Sequence, residues 1–315
     1  MRNKNLIIFI VSITPALLSG FINLFLIQAQ HGEPPVHYLV TSVLPFLGAI
    51  VSGALLFILA THCFNSSHPP QTLIYCVFII AAITPLTTPP WLVLLATFAG
   101  FILSCKSVNI GGLTHSINAA IAARFIVFLC HLPQTDNTLW QQHIEGYSGA
   151  TPLQMQRICA FSHHLCPAVS LKTVLLGTWN GAPGETSKIA ILAGALLLLW
   201  CGSLRLRPII FGLLGFTMTW SFFRADTNFW QVIGQQMLMG SFLFALIFML
   251  RNRFLNQLSP GYQYAHAFIF GVLCVLFRRY GPFAEGTLLS LIAAQIIIAV
   301  CYGLHRQLPG RRVSI

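Results

Sequence analysis

The sequence predicts an all-α integral membrane protein with about ten membrane-crossing helices. Three observations predict it. Of the 315 residues, 56% are hydrophobic and only 7% are charged, whereas soluble globular chains carry roughly 25% charged residues. So few charges could not cover the surface of a soluble domain, and lipid must be the main solvent. The apolar residues also form long runs between polar or Pro-rich breaks. Finally, the basic residues sit in short clusters between those runs, as they do when charge fixes orientation across a bilayer.

The runs place helices near 6–27, 38–61, 72–87, 91–104, 116–132, 189–203, 208–223, 230–250, 264–278 and 283–303. Arg2 to Lys4 followed by apolar sequence resembles a signal peptide. The run from Leu6 to about Leu26 is too long for such a region and lacks a persuasive cleavage site, so it reads as an uncleaved first span. Several later runs are shorter than the roughly 20 residues that a perpendicular helix needs. Short spans interrupted by Gly or Pro mark broken helices that line a cavity. A long loop over 133–188 separates a first five-helix half, 1–132, from a second, 189–315.

Orientation follows from the cations. With the N-terminus inside, Arg2, Lys4, Lys106, Arg205, Arg207, Arg251, Arg253, Arg306, Arg311 and Arg312 fall on the cytoplasmic side. Arg157, Lys172, Lys188, Arg224, Arg278 and Arg279 fall opposite, with Arg124 inside a span. Ten against six agrees with the positive-inside rule. Glu33, Asp136, Glu145, Glu185, Asp226 and Glu285 all land outside. The reading is a multi-pass protein of a bacterial cytoplasmic membrane, with both termini inside and the long loop outside.

The net charge of +11 does not mark a nucleic-acid partner, because no basic stripe is interleaved with exposed aromatics. None of the nine cysteines forms C-x-x-C, so zinc-ribbon and iron–sulfur spacings are absent. Cys159, His163, His164 and Cys166 could make a metal site or a disulfide. Without a second cluster of ligands a solvated loop is the preferred reading, and no metal is expected.

Three segments could carry chemistry. Glu145-Gly146-Tyr147-Ser148-Gly149-Ala150-Thr151-Pro152-Leu153 is a turn of small residues presenting a Thr hydroxyl, and Pro152 prevents a helix from running through Thr151. It is either an ordinary turn or a modification acceptor. In Gly177 to Ser187 there is no Gly-Lys of a P-loop, so nucleotide hydrolysis is unsupported. Thr186 or Ser187 can cap the next helix, whose N-terminus would favour a phosphate or an anionic ring. Arg124 lies in an apolar run at a cost of roughly 2.5–3.5 kcal/mol on insertion scales, so it must snorkel or face an interior partner.

Glu145 to Leu153 resembles the D-G-x-S-G-A-T flavinylation motif of one family of membrane subunits, found in the sodium-translocating NADH:quinone reductase and in the Rnf complex. Thr84-Pro85-Leu86-Thr87-Thr88-Pro89-Pro90-Trp91 is similar to the family's Pro- and Trp-containing break. Lys106 with Gly111-Gly112 looks like G-K-x-x-x-G-G, and Asn118 to Arg124 resembles F-N-P-A-x-A-G-R. Gly184-Glu185-Thr186-Ser187 matches G-E-T-S, and Pro282 to Gly286 is similar to the Y-P-E-G turn. The short interval from Arg124 to Thr151 favours the quinone-reductase branch.

This resemblance implies FMN bound covalently to Thr151 through a phosphoester, installed by a periplasmic flavin transferase. It implies that a second, non-covalent flavin such as riboflavin can be present, and that electrons pass between flavins toward quinone. Other membrane subunits of the redox complex are the implied partners. Lys106, Gly111, Gly112, Asn118, Arg124, Glu185, Thr186, Ser187 and Glu285 are the implied flavin or ion-path contacts. There are departures too. Glu145 replaces Asp, Ala119-Ala120 replaces Pro-Ala, and Asn252 stands where the family's F-M-A-T-D-P has a carboxylate. The hydrophilic N-terminal extension of the quinone-reductase branch is not seen ahead of Arg2, which fits a divergent paralogue. The rival is a channel or small-solute permease of similar two-halved design without redox function.

Overall fold

The computed structural model describes residues 2–30, 35–63, 70–110, 113–131, 153, 156, 170–179, 181–223, 229–250, 253–281 and 285–307. Within them the chain is almost entirely helical. Helix α1 spans Arg2–Gln30 with Pro15 inside it. Pro15 has no N–H for the helix ladder, which leaves the Val11 carbonyl without that donor, while Ser12 Oγ donates to the Ile8 carbonyl (2.7 Å) and Thr14 Oγ1 to the Ile10 carbonyl (2.6 Å). One face of α1 buries Phe9, Ile13, Ala16 and Leu24, while Ile7, Val11, Leu18, Ile22 and Leu26 are exposed. A helix apolar all round needs lipid on its outer side.

Next come α2 (Pro35–Tyr38), a π-turn (Leu39–Val43) and α3 (Leu44–Cys63). Two shorter helices follow, α4 (Pro70–Ile83) and α5 (Pro90–Cys105), separated by the Thr84–Pro89 break. The 72–87 expectation overran this helix because Pro85 and the Thr-rich turn end it, with Thr88 N–H bonding the Pro85 carbonyl at 3.1 Å. Strands β1 (Ser107–Ile110) and β2 (Leu113–Ser116) pair antiparallel, Ile110 opposite Leu113. This hairpin is the exception to an all-α reading. Its signal is β-branched sequence around a Gly-Gly pair, a strong two-residue hairpin connector.

Helix α6 (Ala119–His131) begins beside Asn118, whose Oδ1 accepts the Ala120 N–H at 2.9 Å. Helix α7 (Leu171–Leu176), a 3-10 turn (Pro183–Glu185), α8 (Lys188–Trp200) and α9 (Leu206–Ser221) follow. Helix α10 (Phe229–Leu238) stops at Gly240, and α11 (Phe242–Phe244) continues as a π-helical segment (Ala245–Met249) bent 66° from it. The described chain closes with α12 (Arg253–Gln257), α13 (Pro260–Tyr280) and α14 (Thr287–Gln307).

By length and composition, Lys4–Ile27, Leu39–Thr61, Pro260–Tyr280 and Thr287–Arg306 can each cross a membrane, and the bent pair at Gly240 makes up to five. Leu73–Ile83, Pro90–Cys105, Ala119–Cys130 and Lys188–Trp200 are apolar but shorter. Among the described residues these helices support a multi-pass membrane protein, with several short apolar helices as expected, and do not establish the count of about ten.

One apolar core runs through both halves of the sequence, with Ile13, Phe46 and Phe101 in the same cluster as Phe216, Phe242 and Phe270. Small residues set the closest helix approaches, as they do in lipid, where tails are as apolar as leucine. A Cβ on Gly215 of α9 would lie 2.2 Å from the Phe268 carbonyl oxygen of α13. Helix α1 packs on α8 in the same way, with Gly194 against the Ser12 carbonyl.

Candidate functional site

Two helix interruptions meet in this fold, the 177–187 segment and the break at Gly240. The first starts at α7, which Ser170 caps by accepting the Thr173 N–H at 3.3 Å. Gly177 ends α7 in the left-handed region (φ 80°, ψ 27°), its N–H on the Thr173 carbonyl at 2.9 Å. A side chain there would be strained, and its Cβ would sit 2.4 Å from the Thr186 carbonyl carbon.

Gly181 through Lys188 are all buried. The 3-10 turn is wedged between α1 and α4, since a Cβ on Gly20 would meet the Pro183 oxygen and one on Gly184 would meet Ala82. Glu185 Oε1 accepts the Ala182 N–H (3.0 Å), and Ser187 Oγ accepts the Ala190 N–H (3.3 Å). Ser187 is thus the α8 cap, while the Thr186 hydroxyl donates to the Pro183 carbonyl (3.4 Å). Ser187 thus takes the Ala190 N–H, one of the α8 donors expected to greet a flavin phosphate.

The second interruption leaves orphan carbonyls at the end of α10 and orphan amides at the start of α11, and lipid cannot satisfy either. Charged side chains do so, each with the sign that the helix ends favour. Arg278 donates to the Gln236 carbonyl (2.5 Å) and the Met239 carbonyl (3.2 Å). Its guanidinium also lies 5.5 Å from the Phe216 ring centre and 6.0 Å from that of Phe242. Lys188 Nζ donates to the Gly240 carbonyl (2.8 Å) and to the Glu185 carbonyl. At the other end Glu285 Oε1 accepts the Ser241 N–H (2.9 Å) and hydroxyl (3.3 Å).

A small open cleft of about 30 Å³ lies between these pieces, lined by Gly177, Glu185, Thr186, Lys188, Gly240 and Glu285 among others. Arg124 of α6 interacts electrostatically with both Glu185 and Glu285, and its buried Nη1 has no hydrogen-bond partner. The sequence reading set every carboxylate at the outer side, out of reach of Arg124. Glu185, buried on its turn, and Glu285 both act electrostatically on Arg124, so it does not lack acidic neighbours. Glu185 and Glu285 thus line one cleft with Thr186 and Lys188, and Arg124 acts on both carboxylates electrostatically. Asn118 serves as the α6 cap, and Lys106 is exposed at the end of α5.

Gly111 and Gly112 lie outside the described residues, as do Glu145 through Thr151, Asn252, and the Cys159, His163, His164 and Cys166 group. Leu153, two residues along from Thr151, is described. It is buried in a small cluster with Val174 and Met239, two residues that line the cleft. Gln156 accepts from Gln236 Nε2 at 2.6 Å. The C-terminal side of the predicted acceptor turn is thus docked on α10 beside its break.

Sequence reasoning missed Lys188 and Arg278, which it only counted among the cations of the non-cytoplasmic side, and Gly240. An ionisable residue next to an apolar run is a site candidate by default, and that signal was present for both. Among the described residues no cluster of three or more His, Cys, Asp or Glu is placed to hold a metal ion.

The profile described as the NQR2, RnfD, RnfE family matches residues 3–301. The chain is 25% identical over 224 residues to a Na(+)-translocating NADH-quinone reductase subunit of Stutzerimonas stutzeri (strain A1501), covering 69% of this chain and 55% of that protein. It is 26% identical over 233 residues to the same subunit of Klebsiella pneumoniae (strain 342), with 69% and 55% covered. For the Chromohalobacter salexigens counterpart the identity is 28% over 228 residues, with 69% and 54% covered. The chain spans about half the length of these relatives.

Proposed function

The chain belongs to the NQR2, RnfD, RnfE family, and from that membership we propose that it is the flavin-carrying membrane subunit of an ion-translocating NADH:quinone reductase or Rnf-type complex, with FMN esterified to Thr151. The observation that supports this best is the docking of Leu153 and Gln156 against α10. It tethers the chain just beyond Thr151 to the edge of a cavity that holds buried charge. FMN so attached supplies the electron-transfer chemistry, and the protein supplies position and electrostatics.

The residues present fit such a group. Arg124 Nη1 is a buried donor without a partner, free for a carbonyl or ring-nitrogen acceptor, and a guanidinium stays charged. Trp179 and Leu238 pack against the Leu153 cluster and shield that end from water. Other membrane subunits hold the NADH and iron–sulfur sites and quinone is the electron sink. A periplasmic transferase installs the flavin, which puts Thr151 outside a bacterial cytoplasmic membrane.

The test is intact mass from a host that makes the transferase. The wild-type chain gains one FMN less water, and Thr151→Val gains nothing. An unmodified wild-type chain from that host refutes the proposal and leaves the permease reading.

A further inference from the structure

Lys188 is in an unfavourable place for a cation. It is the first residue of α8, at the positive end of the helix dipole, and it is 2% exposed. Burial of an ammonium is costly unless oxygen ligands and counter-charges replace its water. Both are present. Its Nζ donates to the carbonyls of Glu185 and Gly240, and it interacts electrostatically with the carboxylates of Glu185 and Glu285. The oxygens come from two different interruptions, one on either side of the cavity. Carbonyls at the C-terminal end of a half-helix, backed by carboxylates, are how membrane proteins hold an alkali cation at depth.

We propose that the Lys188 ammonium occupies, as a tethered cation, a monovalent-cation site built from the Glu185 and Gly240 carbonyls and flanked by the Glu185 and Glu285 carboxylates. The ammonium is a compact single charge with three donors, so it fills the site electrostatically and bridges the two interruptions. In the wild-type chain this cavity takes up no diffusible Na+ or K+. Any ion route through the complex runs elsewhere. Removing the ammonium while keeping the length of the side chain exposes the site to a free ion.

The experiment compares wild-type, Lys188→Met and Lys188→Arg full-length chains in detergent. Thermal unfolding is followed in NaCl, KCl and choline chloride at constant ionic strength. Wild type and Lys188→Arg respond equally to all three salts. Lys188→Met shows a saturable rise in Na+ or K+, roughly 3 °C at ten times Kd, and the rise is lost when Glu285→Gln is added. A Lys188→Met chain with the same Tm in all three salts overturns the proposal. A direct measurement on the unmutated protein tests it even if Lys188→Met does not fold. Saturable binding of radioactive Na+ to the wild type, abolished by Glu285→Gln, also overturns it. Loading of Thr151 is read separately by mass, so failure of one reading does not touch the other.

Discussion

Substitution of Gly184 by Ala tests whether the 3-10 turn is held rigidly between α1 and α4. The new Cβ would lie 2.4 Å from Ala82 Cβ, 2.9 Å from its Cα and 3.0 Å from its oxygen. Unstrained carbon pairs sit about 3.5–4.0 Å apart, so the shortfall is roughly 1 Å. Retreat toward α1 is blocked, because the Pro183 oxygen already fills the space where a Gly20 Cβ would be, at 1.7 Å. Overpacking costs about 1–3 kcal/mol where neighbours can shift, and here two neighbours are backbone atoms. We expect the top of that range, near 3 kcal/mol. At roughly 2–4 °C per kcal/mol, Tm should fall by about 6–12 °C. Adding Ala82→Gly removes the closest contact and leaves the two backbone ones, so about half the loss should return as a coupling between the sites. Gly48→Ala is the control, since a Cβ there meets nothing within 4 Å and a helical Gly-to-Ala change is neutral or favourable by up to about 1 kcal/mol. Tryptophan fluorescence during heating in detergent reads all four chains. If Gly184→Ala melts with Gly48→Ala, or Ala82→Gly restores nothing, the wedged turn is wrong.

Orientation has a direct check with an impermeant thiol reagent on whole cells, in a background without native cysteines. Ala150→Cys should label and Leu206→Cys should not, and the opposite pattern would invert the protein in the membrane. Arg124→Leu should lower the reduction potential of the flavin while Thr151 remains modified, because it removes a positive charge that favours the reduced anion. Arg124→Lys should recover only part of the shift, since a point charge lacks the planar fork. Unchanged potentials in redox titration, with assembly intact, would assign Arg124 to Glu185 and Glu285 alone.

The helices were legible because their signal is local. Apolar runs and their Pro and Gly punctuation are one-dimensional features, and the cap of α8 near Ser187 follows from neighbours in sequence, whereas the short α7 inside the expected 133–188 loop was missed. The site was legible only as a set of names. Glu185, Glu285 and Arg124 could each be singled out, yet their convergence depends on the break at Gly240 bringing residues 44 positions apart into contact, as Glu285 and Ser241 are. Charge counting by loop sides assigns each residue wholly to one face, so a residue on a turn that dips inward is misplaced by construction. That is why Lys188 and Arg278 entered only the count of non-cytoplasmic cations and not the list of site candidates. The β-hairpin was missed for another reason, since its strands are only four residues each and lie between apolar runs that dominate any periodicity count.

The break at Gly240 also has a consequence in time. The Gln236 carbonyl waits for Arg278, 42 residues later in the chain, and Ser241 waits 44 for Glu285. Synthesis at about 5–20 residues per second leaves an interval of roughly 2–9 s during which these groups have no partner from their own chain. Hydrocarbon cannot hold them in that interval, so α10 and α11 must stay in contact with water or with the insertion machinery until α13 and α14 emerge. The bend is therefore set last, and a ribosome stalled between residues 250 and 278 would present a nascent chain that exposes this segment to quality-control proteases.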